Sequence, residues 1–251
     1  MKTTPPLVRA CVAGLLSLAF FPLQAYSHWE TRVEGGAFWA SRNKVRIPGD
    51  TGTRFDLLDL TGSGPDAYVR ADVTWQFHPR QALRLTLVPL QTKGRGTLPK
   101  DVDFQETTFS AGESTRGSFT FNTYRLTYRW TFIDSTRWTW GGGLALLVRD
   151  AEIELEQGEQ SAAKDDLGLV PLLHLRGEAR ITDRLSLVLD AEGAAASQGR
   201  AIDAAVLLRH ACPHGWTLSG GYRTLEGGAD NDEVYTFSWF HFAFLSLERR
   251  F

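Results

Sequence analysis

Apolar and polar residues alternate along most of this chain. In Tyr124–Phe132, one set is Tyr124, Leu126, Tyr128, Trp130 and Phe132, and the other is Arg125, Thr127, Arg129 and Thr131. Wound as a helix, this segment would scatter its arginines around the cylinder; extended, it sorts them onto one face. The same sorting recurs where Ala67, Val69, Ala71, Val73, Trp75 and Phe77 oppose Tyr68, Arg70, Asp72, Thr74 and Gln76. Leu173, Leu175, Gly177 and Ala179 oppose His174, Arg176, Glu178 and Arg180, and Trp216, Leu218 and Tyr222 oppose Ser219 and Arg223. Ten segments of period two emerge: 30–42, 66–77, 82–93, 118–132, 137–150, 168–181, 184–195, 201–211, 216–226 and 233–251. Each is long enough for the roughly 9–11 residues with which a tilted strand crosses a bilayer. Val188 breaks the parity of its segment. Pro89 and Pro171 each delete a ladder donor and are expected at bulges or at strand ends near an outer rim.

The connections alternate in length. His78–Gln81, Ile133–Thr136, Thr182-Asp183 and Cys212–Gly215 read as tight turns. The links 43–65, 94–117 and 151–167 read as long loops, with 196–200 and 227–232 shorter. An even strand count would leave both chain ends on the side of the tight turns.

Composition narrows the class. Residues 1–27 read as a secretory signal peptide: Lys2 and Arg9 form a basic start, Val12–Leu23 an apolar run too short to span as a helix, and Ala25-Tyr-Ser27 a small-residue cleavage region. The remaining roughly 224 residues suit a single domain, 28–251. Without Lys2 and Arg9 they carry 25 basic side chains against 29 acidic ones, about −4, which argues against a nucleic-acid binder. Only Cys212 remains after the leader, so neither an intramolecular disulfide nor a cysteine-based zinc cluster is available. No later window approaches 18 consecutive apolar residues. A membrane-spanning chain of this kind must be a closed barrel, because backbone polar groups in lipid are bonded internally.

Tryptophan placement agrees with that reading. Trp29, Trp75, Trp130, Trp138, Trp140 and Trp216 cluster near the tight turns, while Trp39 and Trp239 sit near the opposite strand ends, as two interfacial girdles would require. A soluble sandwich or lipocalin-like barrel explains the alternation but not the girdles. The signal-like start, the strands and the segment Tyr235–Phe251, ending in Phe251, resemble the small outer-membrane β-barrel proteins of Gram-negative bacteria. The resemblance implies an all-β transmembrane antiparallel barrel of about ten strands (eight being the alternative), an outer-membrane location and a Phe251 read by the barrel-assembly machinery. Arg249 stands where that terminal signature usually carries an aromatic. Phe240, Phe242 and Phe244 have the opposite parity to Phe251, so either they pack inside or a bulge shifts the register within 240–247.

With the apolar parity facing lipid, the inward set is charged: Arg70, Asp72, Arg84, Arg125, Arg129, Arg176, Glu178, Arg180, Asp190, Glu192, Asp203, Arg209 and Arg223, with Arg32, Glu34 and Arg149 beside them. Opposite charges on neighbouring strands would satisfy each other and fill a narrow bore. The alternative is a small polar pore with weak anion preference. The acidic groups Asp150, Glu152, Glu154, Glu156, Glu159, Asp165 and Asp166 read as solvated outer loop, without the spacing of a calcium loop. No catalytic constellation is recognisable. No histidine has a serine two residues on, His174 reads as a lumen hydrogen-bonding partner, and His241 reads as an interfacial side chain. The expectation is a monomeric, non-enzymatic structural or interaction barrel with no cofactor or metal, meeting outer-membrane lipid and lipopolysaccharide. A lipid- or peptide-processing enzyme is the further alternative.

Overall fold

The computed structural model describes residues 27–197 and 199–251. The expected signal peptide thus falls almost wholly outside the described residues. In chain order the elements are β1 (His28–Arg46), the short β2 (Phe55–Asp56), α1 (Leu58–Thr61), β3 (Asp66–His78), β4 (Gln81–Val88), β5 (Gln91–Thr97), β6 (Val102–Phe104) and β7 (Thr107–Phe109). There follow β8 (Ser114–Asp134), β9 (Trp138–Gln157), β10 (Gln160–Arg180), β11 (Leu185–Ala196), β12 (Gly199–Ala211), β13 (Trp216–Asp230) and β14 (Tyr235–Arg250).

Each long strand pairs antiparallel with its neighbours, and β14 returns to pair with β1 from Glu30↔Arg250 to Arg46↔Tyr235. β4 and β5 occupy one position against β8, so the closed barrel has ten strands. Closure leaves no sheet edge around the seam, the condition for placing a β-sheet in lipid. Pro89 falls in the break between β4 and β5. Pro171 lies on the stretch of β10 that, among the described residues, pairs only with β9, since pairing with β11 begins at Leu173. Both positions spare a central ladder the missing donor.

The tight turns and both strand termini, His28 and Arg250, share one end of the barrel. At the other end the connection 47–65 carries β2 and α1, and 98–113 carries the β6–β7 hairpin.

One of the expected long loops is not a loop, and the shorter links 196–200 and 227–232 are likewise mostly strand, with β12 starting at Gly199 and β13 running to Asp230. The stretch 151–167 continues β9 and β10 as a hairpin closed at Gly158-Glu159, with Gly158 at φ +59, the left-handed backbone that a two-residue turn needs. Its alternation had been concealed by a change of polarity. Lower on β9 the outward residues are Leu144 and Leu146, whereas beyond Val148 the outward positions are Asp150, Glu152, Glu154 and Glu156 and the inward ones include buried Ile153 and Leu155. β8 changes at the same height, from Tyr124 to Asn122 and Thr120, as does β10, from Leu167 to Asp165. The strands run on past the apolar belt, and their outer face then meets water.

Phe240, Phe242 and Phe244 are buried inside, while Trp239, Leu245 and Leu247 point out. β14 stays in register with β13 throughout. The irregularity lies on its other partner, β1, between Ala40 and Arg42, where exposed Ser41 is the extra residue of a bulge.

Candidate functional site: a lumen filled in two layers

The outward face is an apolar belt: Val33, Val69, Val73, Leu85, Leu126, Leu144, Leu173, Val206, Leu218 and Leu245 are all exposed, Leu144 by 63% and Leu245 by 68%. A soluble barrel would bury these side chains. Every second residue is turned inward, and the interior differs sharply between the two ends.

From the tight turns up to mid-barrel the bore holds an ionic lattice. Asp203 on β12 accepts hydrogen bonds from Arg223 (2.6 Å), Arg125 (2.8 Å) and Arg70 (3.4 Å). Asp72 receives Nε and Nη2 of Arg32 at 2.8 and 2.6 Å, the hydroxyl of Thr86, and Arg70 at 3.4 Å. Asp190 takes Arg84 at 2.6 Å and Arg176 at 3.0 Å, and Glu192 takes Arg84 at 2.9 Å, Thr127 at 2.8 Å and Arg125. Glu34, fully buried, accepts from Tyr68 at 2.7 Å and Arg223 at 3.3 Å. Arg209 bridges Glu178 and Glu248 at the turn end. Charges removed from water persist only when paired and hydrogen-bonded in this way.

The pairing is not mainly between neighbouring strands. Arg32 does face Asp72 across β1 and β3, but Arg84 on β4 reaches β11, Arg125 on β8 reaches β11 and β12, and Arg70 on β3 reaches β12. In a ten-stranded bore the long guanidinium stems cross the lumen, and each fork serves two acids at once. Three residues assigned to the lumen stand apart. Arg180 is at the exposed strand end and donates to the Thr136 carbonyl at 3.3 Å, Arg149 pairs with Asp166 on the projecting hairpin, and Arg129 lines the lumen without a salt bridge to a carboxylate among the described residues.

His174, Asp190 and Glu192 come together in the middle of this lattice, with His174 Nδ1 3.3 Å from Glu192 and 3.8 Å from Asp190. Their donor types suit a metal. The same two carboxylates already serve Arg84, Arg125 and Arg176, whose charge opposes a cation, so the cluster fits a node of the ionic lattice better.

Toward the loop end, the lumen becomes an aromatic core. Phe38 packs on Phe240 (6.0 Å) and Phe242 (5.6 Å), Phe242 on Tyr68 (4.8 Å), and Phe119 on Phe240 (5.8 Å). Above them the connections fold into the mouth and bury Ile47, Leu57, Leu60, Val102, Phe104 and Phe109. α1 lies directly against the inner wall of β5. A Cβ at Gly94 would come 2.3 Å from the Leu60 carbonyl and one at Gly96 2.1 Å from that of Asp59, so glycine is required at both. Asp56 caps the entry to α1 by accepting the Leu58 N–H at 3.2 Å. Burial, and then the neighbouring Asp56, push the Asp59 carboxyl above its usual range. Gln157 ties the β6–β7 region down through the backbone of Ser110 and the hydroxyl of Thr115.

The tryptophans stand outside. Trp29 stacks on Trp75 at 5.7 Å, Trp130, Trp138 and Trp216 are exposed near the turn end, and Trp140 lies across Gly177. Near the loop end Trp39, Trp239, Tyr222 and His241 form one cluster, in which His241 bonds Tyr222 at 2.5 Å and Ser41 at 2.9 Å. Sequence reading missed this Ser41–His241–Tyr222 chain because only barrel closure brings β1 beside β14. Phe251 is exposed, and its N–H donates to the Trp29 carbonyl at 2.8 Å.

No protein-family model matches the chain, and no curated protein matches it either. Solved structures do. The outer membrane protease OmpT from Escherichia coli superposes with a TM-score of 0.56 at 10% identity, over 89% of this chain and 97% of that one. Ail, the attachment invasion locus protein of Yersinia pestis, gives 0.39 at 9% identity over 88% and 98%, and the Pseudomonas putida toluene transporter TodX gives 0.32 at 9% over 89% of each. At such identities the likeness to OmpT concerns the fold alone. In fold, this chain is a closed ten-stranded antiparallel barrel of the kind found in bacterial outer-membrane proteins.

Proposed function

We propose that the protein is an integral outer-membrane barrel that does not conduct. On this reading it is a monomeric structural and interaction protein, anchored by its apolar belt and offering its loop end to lipopolysaccharide and external partners. The observation that carries the reading is the double filling of the bore. The ionic lattice around Asp190 and the aromatic core around Phe240 lie in series, meeting at mid-barrel where Asp203 and Phe242 line one space, and a solute would have to displace both. The exposed apolar belt supports membrane insertion. The shared position of both strand termini and the tight turns supports a periplasmic placement of that end. Assembly into the membrane would engage Phe251.

Purified, refolded protein should migrate differently in heated and unheated electrophoresis and should give silent traces in planar bilayers. A variant that empties one layer, Phe240→Ala with Phe242→Ala, should stay silent. Weakening both layers by also adding Arg84→Ala and Arg125→Ala, the arginines that reach across the bore, should produce current steps. Sizeable, stable single-channel currents from the unaltered protein would overturn the reading in favour of a pore. Release of the protein from envelopes by alkaline carbonate would overturn the membrane placement.

A further inference from the structure

Inside the turn end of the barrel lies a polar cavity of about 150 Å³. Glu30, Gln76, Thr139 and Glu248 line it, each within a few residues of a strand terminus at that end, so they form its mouth. Deeper in are Arg84 and Arg176, which hold Asp190 at 2.6 and 3.0 Å. The ionic lattice and the aromatic core close the far side. The cavity is blind and is entered from the turn end.

Its charges do not cancel locally. Three of the four lining carboxylates are engaged by arginine: Asp72 by Arg32, Glu178 by Arg209 at 3.6 Å and Arg176 at 3.8 Å, and Glu248 by Arg209; the fourth, Glu30 at the mouth, lies 3.3 Å from the His28 ring. Arg129 on β8 lines the same space, yet among the described residues it has no ion pair and no hydrogen bond to a protein group. Its stem runs over Gly141 of β9, where a Cβ would stand 3.1 Å from the Arg129 Cγ, so the absence of a side chain at that position leaves room for the stem. Arg84 and Arg176 add like charge, and the hydroxyl-bearing Thr131 and Thr139 also line the wall. A surplus guanidinium in a confined site of reduced dielectric is stabilised by a counter-charge, and its planar fork suits an oxyanion.

We propose that this cavity binds a small soluble oxyanion of the phosphate or sulfate class, with Arg129 as the principal ligand. Arg176 and the hydroxyls of Thr131 and Thr139 complete the shell. A buried water needs roughly 10–15 Å³ on a comparable measure, so the space takes one tetrahedral ion with a few waters and excludes bulky organic anions. The blind geometry makes this a binding pocket, facing the compartment into which the tight turns project.

Calorimetry with inorganic phosphate, on the detergent-folded full barrel in dilute chloride buffer, tests the assignment. Saturable binding of one ion per chain is expected. It should weaken at least about tenfold in Arg129→Gln, weaken less in Arg129→Lys, which keeps charge but loses the fork, and stay unchanged in Arg116→Gln at the far end of the barrel. Heat-modifiable mobility identifies folded variants, and Arg129→Lys carries the test if Arg129→Gln does not fold. Absence of saturable binding of both phosphate and sulfate to the unaltered protein would overturn the proposal. So would equal affinity in the Arg129 variants, or an equal loss in Arg116→Gln, which would mark a non-specific surface effect.

Discussion

The two halves of the lumen solve one packing problem by opposite chemistry. Near the tight turns, Asp203, Asp72, Asp190 and Glu192 are each held by two or more arginines, so position is fixed by charge and hydrogen-bond direction. Near the loop end, Phe38, Phe119, Phe240 and Phe242 fill the same bore by shape. The backbone is continuous between them, and β14 alone contributes Phe240, Phe242 and Phe244 to one layer and Glu248 to the turn end of the other. A barrel wall therefore fixes only that alternate residues face in. What they fill the interior with is set by which groups meet across the lumen.

The sharpest way to break this contrast is Asp203→Ala. Removing one acid leaves Arg70, Arg125 and Arg223 under-compensated inside the barrel, and the cost is about 3–5 kcal/mol. The check is the denaturant midpoint of the folded protein, followed by tryptophan fluorescence. Asp203→Asn should recover little of this, because three guanidiniums need a charge. Phe242→Ala should cost about 3 kcal/mol or somewhat more through lost burial and the cavity left behind. In contrast to the acid, Phe242→Leu should regain most of the loss, since an apolar site accepts another apolar shape. Equal recovery in both conservative variants would erase the distinction between the layers.

Leu144→Arg probes the outer face at mid-belt. It should cost about 2–4 kcal/mol in bilayers, where a charge would face acyl chains, and almost nothing if that 63%-exposed position faced water. The smallest effect belongs to Arg116→Ala. Its pair with Glu156 at 3.3 Å lies exposed above the belt, so the loss should stay within about 0.5 kcal/mol. Set beside Asp203→Ala, it separates an ion pair inside the bore from one on its outer rim.

Much of this architecture was legible in the chain. Ten strands followed from period two, and the inward parity of Arg70, Arg84, Arg125 and Arg223 followed from the same alternation. The reading failed where polarity and geometry part company. Glu152, Glu154 and Glu156 alternate with Ile153, Leu155 and Gln157 as regularly as any strand. Their outer face is charged because it stands beyond the apolar belt, and a charged stretch of that length reads as a loop. Arg180 keeps the lumen parity but sits at the strand terminus, where solvent reaches it.

What the sequence determined by itself is the sorting of side chains onto the two faces of each strand, because a pleated backbone sends successive residues to opposite sides. Tertiary structure alone decided what each face meets. Closure set β1 against β14 and so joined Ser41 to His241; curvature brought Arg84 within reach of Asp190 and Glu192; and height along the barrel axis determined whether an outward residue stands in the apolar belt or beyond it. These are distances between residues far apart in the chain, and a local alternation carries no record of them.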